Sequence, residues 1–176
     1  MPTAPPTITD NLLAPADYRA LVAALDSRNF PWERSQVLSD GQTELNATDN
    51  LQLVHGLFLW NRDGEYRSPW LPIIAPVLAH FGRIRLLKAK LNRTLRQSRH
   101  IEYGMHVDTR APRAVTAILY LNTNDGYTLF ADGTRIASVA NRLVQFDAAL
   151  LHTGASCTDS PYRQVLNLNL IPISDA

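Results

Sequence analysis

His106 and Asp108 stand two apart in IEYGMHVD (101–108), and His152 follows the run NRLVQFDAALL. Side chains alternate faces along an extended strand, so residues two apart point the same way. The His106 imidazole and the Asp108 carboxylate can therefore meet one metal ion. Enough chain separates them from His152 for it to return through further strands and supply a third donor. Two imidazoles and one carboxylate on one face of an octahedron leave three positions open, a set that suits non-haem iron(II) with a chelating co-substrate and dioxygen. A lone His-x-Asp is ordinarily structural, so the residues around it decide the reading.

Arg163 opens the predicted strand RQVLNLNLI (163–171). A fixed guanidinium pairs bidentately with a carboxylate, as the distal carboxylate of 2-oxoglutarate would require. Tyr120, near the end of AVTAILYLN (114–122), carries a phenol that could donate to the same carboxylate. The other histidines have no such company. His80 falls near a predicted helix C-terminus, where the dipole accounts for it, and His100 reads as a solvated loop residue. Cys157 reads as a passive thiol, because no basic group is placed to lower its pKa.

Positioning these groups takes a scaffold of strands. A helix fits Pro15 to about Ser27, with Tyr18, Leu21, Val22 and Leu25 on one stripe. Residues 28–50 read as polar and irregular, with a turn at Asp40-Gly41, and 51–60 as a possible strand. A second helix fits 69–81: Ser68 caps it, Pro69 occupies its first position, and Trp70, Ile73, Ile74, Val77, Leu78 and Phe81 recur at helical spacing before Gly82. Pro76 is placed to kink it. From residue 84 the pattern changes to short strands: 84–92, 101–108, 114–122, 127–131, 135–140, 141–147 and 163–171. Asn124-Asp125-Gly126 and Asp132-Gly133 mark turns between them. Many short strands behind two helices predict a mainly β fold, a sandwich or jelly roll braced by helices on one face.

The whole set resembles the Fe(II)/2-oxoglutarate-dependent dioxygenase superfamily, and within it the prolyl-hydroxylase-like group. The resemblance is carried by YGMHVD (103–108), ILYLN (118–122), GYT (126–128), NRLVQFD (141–147) with His152, and YRQVLNLNL (162–170), and it spans about 84–171. It implies a double-stranded β-helix, a kind of jelly roll, preceded by helical support over about 15–83. It also implies His106, Asp108 and His152 as iron ligands. Arg163 becomes the 2-oxoglutarate partner, Tyr120 its helper, and Thr128 and Asn92 further residues of the co-substrate pocket. The implied activity is hydroxylation of a C–H bond with dioxygen and 2-oxoglutarate, releasing succinate and carbon dioxide, with ascorbate as a possible stimulant. Arg93, Arg96 and Arg99, on a predicted loop entering the HxD strand, and Tyr103 are candidates for substrate contact. The plainer reading of those arginines is a solvated charged loop. The alternative for the whole chain is a non-catalytic jelly-roll module that binds a metal or ligand.

Composition narrows the classes. The 176 residues suit one domain over 1–176, and 45% hydrophobic content is ordinary for a globular chain. A net charge of +1 gives no strong pull toward nucleic acid or anionic membranes, so a small molecule or a peptide is the expected partner. The oligomeric state is left open. One cysteine excludes an intrachain disulfide and a thiolate-bound cluster. The start MPTAPPTITD lacks the basic and apolar runs of a signal peptide, and no apolar stretch reaches spanning length. A cytoplasmic location is the resulting expectation.

Overall fold

In chain order the elements are β1 (Thr7–Thr9), α1 (Pro15–Asp26), β2 (Glu33–Gln36), β3 (Leu51–Asn61), β4 (Gly64–Arg67), and a 3-10 turn (Leu71–Ile74) running into α2 (Ala75–Ala79). Then come β5 (Ile84–Leu95), β6 (Val115–Tyr120), β7 (Tyr127–Phe130), β8 (Arg135–Ala137), β9 (Arg142–Asp147), β10 (His152–Gly154) and β11 (Tyr162–Pro172). The computed structural model describes residues 4–38, 45–62 and 64–173, so the turn expected at Asp40-Gly41 lies outside the described residues. No helix among the described residues is long and apolar enough to cross a membrane.

Eight strands form one antiparallel sheet in the order β1-β9-β6-β11-β5-β3-β2, with β4 paired to β3. A smaller antiparallel sheet runs β10-β7-β8. The two-residue period of β11 shows how they pack. Leu166, Leu168 and Leu170 join Ala89 and Leu91 of β5 and Leu119 of β6 in one fully buried layer, against Leu21 and Leu25 of α1 and Ile74 and Val77 of the second helical stretch. The intervening residues face the small sheet, where Ile118, Tyr120, Val144, Phe146 and Val165 meet Phe130 and Ile136. One face of the large sheet is thus covered by helices and the other by strands, which is the double-stranded β-helix expected from the sequence.

Several elements differ from the sequence reading. The helix expected over 69–81 is a 3-10 turn followed by five α-helical residues. Pro76 has no N–H to bond back to Pro72, and the Ala75 N–H bonds Pro72 O in the tighter pattern instead. Ser68 still accepts the Trp70 N–H at 3.1 Å, and Gly82 ends the stretch at φ 65°. The stretch 28–50 is not wholly irregular, since β2 pairs with β3 inside it; the support before residue 84 is therefore as much strand as helix. The extended N-terminus pairs as β1 with β9.

Segment 101–108 is not a regular strand. It touches the edge of the small sheet through two isolated bridges, Glu102 with Ala155 and His106 with His152. Residues 103–105 lie opposite 153 and 154, so the segment bulges, and Gly104 takes φ 86° within the bulge.

Candidate active site

The bulge aims the HxD residues. Past it, His106 and His152 exchange both backbone hydrogen bonds, at 2.9 and 3.0 Å, and their rings lie 4.7 Å apart. His106 Nε2 is 3.9 Å from Asp108 Oδ1, and His152 Nε2 is 3.8 Å from Asp108 Oδ2. One donor atom from each residue falls within 4.8 Å of the others. The three differ in exposure: the His106 side chain is 53% exposed, while those of His152 and Asp108 are 3% and 5%. His152 is walled by Phe146, edge-on at 4.7 Å.

The surroundings fit a divalent metal. Nδ1 of His106 lies 3.2 Å from Gly104 O, and Nδ1 of His152 lies 3.0 Å from Leu150 O. A carbonyl only accepts, so Nδ1 carries the proton in both rings and each Nε2 presents a lone pair toward Asp108. Asp108 Oδ2 accepts from Thr116 Oγ1 at 2.8 Å and Asn169 Nδ2 at 3.1 Å. Burial pushes the Asp108 carboxyl up, but the neighbouring His152 ring and Lys88 ammonium and the Thr116 and Asn169 hydrogen bonds outweigh it and hold it below the usual range. Burial pushes His152 down, keeping it neutral as a metal ligand must be.

The triad opens on a cleft of about 720 Å³ between the two sheets, with Arg163 on its wall. Arg163 is 5% exposed, and burial pushes its guanidinium down. Its Nε donates to Ser138 Oγ at 2.9 Å and its Nη2 to Thr128 Oγ1 at 3.1 Å. Among the described residues no carboxylate lies within ion-pair distance of it. Two glycines make its berth. A Cβ at Gly126 would sit 2.8 Å from Arg163 Cδ, and one at Gly154 would sit 3.3 Å from Nη1. Tyr120 OH donates to Thr128 Oγ1 at 2.7 Å. Thr128 thus accepts from both Arg163 and Tyr120, which fills its lone pairs and leaves its own proton for an acceptor in the cleft.

The other predicted residues divide. Thr128, Asn92 and Tyr103 line the cleft. Tyr103 OH donates to Asp49 O at 3.1 Å, and burial pushes its pKa up to about 12. Tyr120 is fully buried behind Thr128 and does not itself line the cleft. Arg93 is a correction. It lies on β5, which continues to Leu95, and its alternation turns it to the helix-covered face. There it bonds Gln164 Oε1 at 2.6 Å and Asp26 Oδ1 at 2.9 Å, between the Trp32 and Tyr162 rings. Arg96 and Arg99 are exposed and do not line the cleft either. His100 meets Asp125 at 3.2 Å and His55 is buried against Ser68 and Pro31 O, both structural contacts. The sequence reading missed Lys88, Lys90, Thr116, Asn167 and Asn169, all on the inward face of the large sheet. The signal was available in the alternation of KAKLN and LNLN. A second groove of about 580 Å³, lined by Phe58, Trp60 and Leu78, holds no histidine, and its acid, Glu65, is paired with Arg67.

No family model and no curated protein sequence matches the chain. Solved structures do. An oxidoreductase of the 2-oxoglutarate/Fe(II) oxygenase family from Burkholderia pseudomallei is 15% identical with a TM-score of 0.63, over 97% of this chain and 87% of that one. A prolyl-4-hydroxylase from Pseudomonas putida is 18% identical with a TM-score of 0.56, over 96% and 93%. The epimerase SnoN, solved with Fe3+, alpha ketoglutarate and nogalamycin RO, is 12% identical with a TM-score of 0.63, over 94% and 78%. At these identities the likeness is one of fold.

Proposed function

We propose that the protein is an Fe(II)- and 2-oxoglutarate-dependent dioxygenase that hydroxylates a C–H bond of a small-molecule or peptide substrate, releasing succinate and carbon dioxide. The observation that carries this reading is a buried guanidinium that has no anionic partner among the described residues and lies in the same cleft as a His-Asp-His cluster. A buried cation left unpaired is unfavourable by several kcal/mol, so a fold that keeps one holds it for a ligand. A dianionic chelator with one carboxylate for Arg163 and a second for the metal satisfies both ends.

Each residue has a task in that reading. His106 and His152 offer Nε2 and Asp108 a carboxylate oxygen; iron(II) held there would couple dioxygen and 2-oxoglutarate to oxidation of the substrate. Thr116 and Asn169 orient the Asp108 carboxylate and keep it ionised. Arg163 receives the distal carboxylate of 2-oxoglutarate, with the Thr128 hydroxyl proton beside it and Tyr120 fixing that hydroxyl. Phe146 and Phe130 keep water from the buried side of His152, while the exposed His106 faces the mouth through which substrate enters.

The test is succinate formation from 2-oxoglutarate with iron(II), oxygen and ascorbate, without added substrate, alongside calorimetric binding of 2-oxoglutarate under nitrogen. The wild type should bind 2-oxoglutarate only when metal-loaded and release succinate slowly, and Asp108→Ala should do neither. A metal-loaded wild type that neither binds 2-oxoglutarate nor forms succinate overturns the reading in favour of a non-catalytic module.

A further inference from the structure

Lys88 and Lys90 are the only lysines of the chain; every other cationic side chain is an arginine. Both line the cleft. They alternate on β5 with Leu87, Ala89 and Leu91, and they stand opposite Asn169 and Asn167 of β11. Both side chains are half-buried. Burial, and Lys88 beside it, push the Lys90 ammonium down. Among the described residues neither has a carboxylate within ion-pair distance. Among the described residues one acid lines the cleft, Asp108, and it already accepts from Thr116 and Asn169 and faces both histidines.

Charge balance makes the lysines informative. On the reading above, iron(II), Arg163 and two lysines share the cleft with Asp108 and the two carboxylates of 2-oxoglutarate. Among the described residues two positive charges remain uncompensated, in a cleft whose walls focus the field. The lysines also sit away from the Arg163 end. Along β11, the backbones of Asn167 and Asn169 are about 13 and 20 Å from that of Arg163 at ~3.3 Å per residue, while the Arg163 guanidinium leans back to Gly154, two residues from His152. They are at the level of Asp108, which Asn169 contacts.

We propose that Lys88 and Lys90 seat an anionic group, a carboxylate or a phosphate, of the primary substrate. The seat lies beside the metal triad and apart from the 2-oxoglutarate anchor. The proposal deepens the reading above and rests on it for what the cleft does: an anion held there brings the neighbouring C–H bonds of its own molecule to the metal.

Two lysines make a direct test possible, because this chain grown with 13C-lysine shows only two lysine side-chain sets by NMR. The protein is loaded with zinc(II) as a redox-inert stand-in and titrated with 2-oxoglutarate first. Matched pairs of probes follow: N-acetylproline against its amide, glycolate against glycolamide, and glycerol phosphate against glycerol. Members of the acid or phosphate set should move both lysine signals while their neutral twins leave them in place. Which set binds distinguishes a carboxylate from a phosphate. The K88Q/K90Q double variant, kept zinc-saturated, should bind the effective acid at least about tenfold more weakly, K88R/K90R should restore it, and the loss for the acid should exceed the loss of 2-oxoglutarate affinity. The proposal is overturned if no acid or phosphate moves either signal at millimolar concentration. It is equally overturned if neutral twins bind as well, if K88Q/K90Q binds the acids undiminished, or if 2-oxoglutarate alone saturates both lysines and excludes the probes. A wild type that fails to bind 2-oxoglutarate sinks the proposed function instead, while the lysine signals still report on anions, since they need no turnover.

Discussion

Arg163→Met separates an anchor from a scaffold. The guanidinium is buried, holds Ser138 Oγ and Thr128 Oγ1 at 2.9 and 3.1 Å, and meets no carboxylate among the described residues. Met keeps much of the stem's volume and removes the charge. Two effects then oppose each other in the ligand-free protein. The Ser138 and Thr128 hydroxyls each lose a donor, at about 1–3 kcal/mol per group. Against that, a desolvated, unpaired cation disappears, which returns several kcal/mol. The ligand-free variant should therefore unfold within about 2 kcal/mol of the wild type. Binding has no such offset. A desolvated, hydrogen-bonded charge pair is worth about 2–5 kcal/mol, so 2-oxoglutarate affinity should fall about 30- to 4000-fold at ~1.4 kcal/mol per decade. Urea denaturation measures the first quantity, and calorimetry on metal-loaded protein under nitrogen the second. At a ligand concentration of 100 times the wild-type Kd, the wild type should gain about 2.7 kcal/mol of stability and the variant no more than about 0.9 kcal/mol. A variant that binds 2-oxoglutarate within about threefold of wild type, or that loses more than ~4 kcal/mol when ligand-free, would refute the anchor argument and make Arg163 a core residue.

The triad histidines should part company in stability though not in metal binding. His106→Ala, at an exposed position, should change unfolding free energy by no more than about 0.5 kcal/mol, whereas His152→Ala, packed against Phe146, should lose ~2 kcal/mol or more; both should abolish metal uptake measured by competition with a chromogenic chelator. Gly126→Ala puts a methyl 2.8 Å from Arg163 Cδ and Asn124 Oδ1 and 3.1 Å from Ala155 O, so overpacking should lower stability by about 1–3 kcal/mol. Gly154→Ala meets only the far end of Arg163 at 3.3 Å and should weaken 2-oxoglutarate with little effect on unfolding. Acid should weaken the metal-free fold through His152. Its folded pKa lies below 6.5, so from about pH 6.5 downward the unfolded chain binds a proton that the folded chain refuses, and stability falls with pH until the folded pKa is passed. His152→Gln should flatten the slope of unfolding free energy between pH 7 and 5, and an unchanged slope would place the titration elsewhere. Arg93→Ala should cost about 1–2 kcal/mol of stability through lost ties to Asp26 and Gln164 and lost stacking on Trp32 and Tyr162, with 2-oxoglutarate affinity unaltered; a change confined to 2-oxoglutarate binding would return Arg93 to the cleft.

The clustering of His106, Asp108 and His152 and the place of Arg163 in the same cleft were legible because their evidence lies in residue type and order along the chain. That evidence survives local irregularity: segment 101–108 bulges at Gly104 and makes only two bridges, yet His106 and Asp108 still meet His152. Arg93 was misread because its partners, Asp26, Trp32 and Tyr162, come from distant parts of the chain and no local pattern announces them. The helix over 69–81 was over-extended because apolar spacing persists through the Pro72–Pro76 break that shortens it. The lysines failed for a different reason. Period-two alternation separates two faces of a strand but does not say which one meets the helices. On β11 the answer comes from Leu166, Leu168 and Leu170: a face packed against α1 has to be dry, so the polar residues between them belong to the inner side. The β5–β11 pairing then carries that assignment across, placing Asn92, Lys90 and Lys88 beside Val165, Asn167 and Asn169. In a sheet with helices on one face and strands on the other, polar residues of a central strand face the helices only where a partner waits for them, as Asp26 and Gln164 do for Arg93. Without such a partner they face a cavity that water or a ligand fills, and the chemical character of that row, here two ammonium groups beside the His-Asp-His cluster, is what the proposed anion seat is built from.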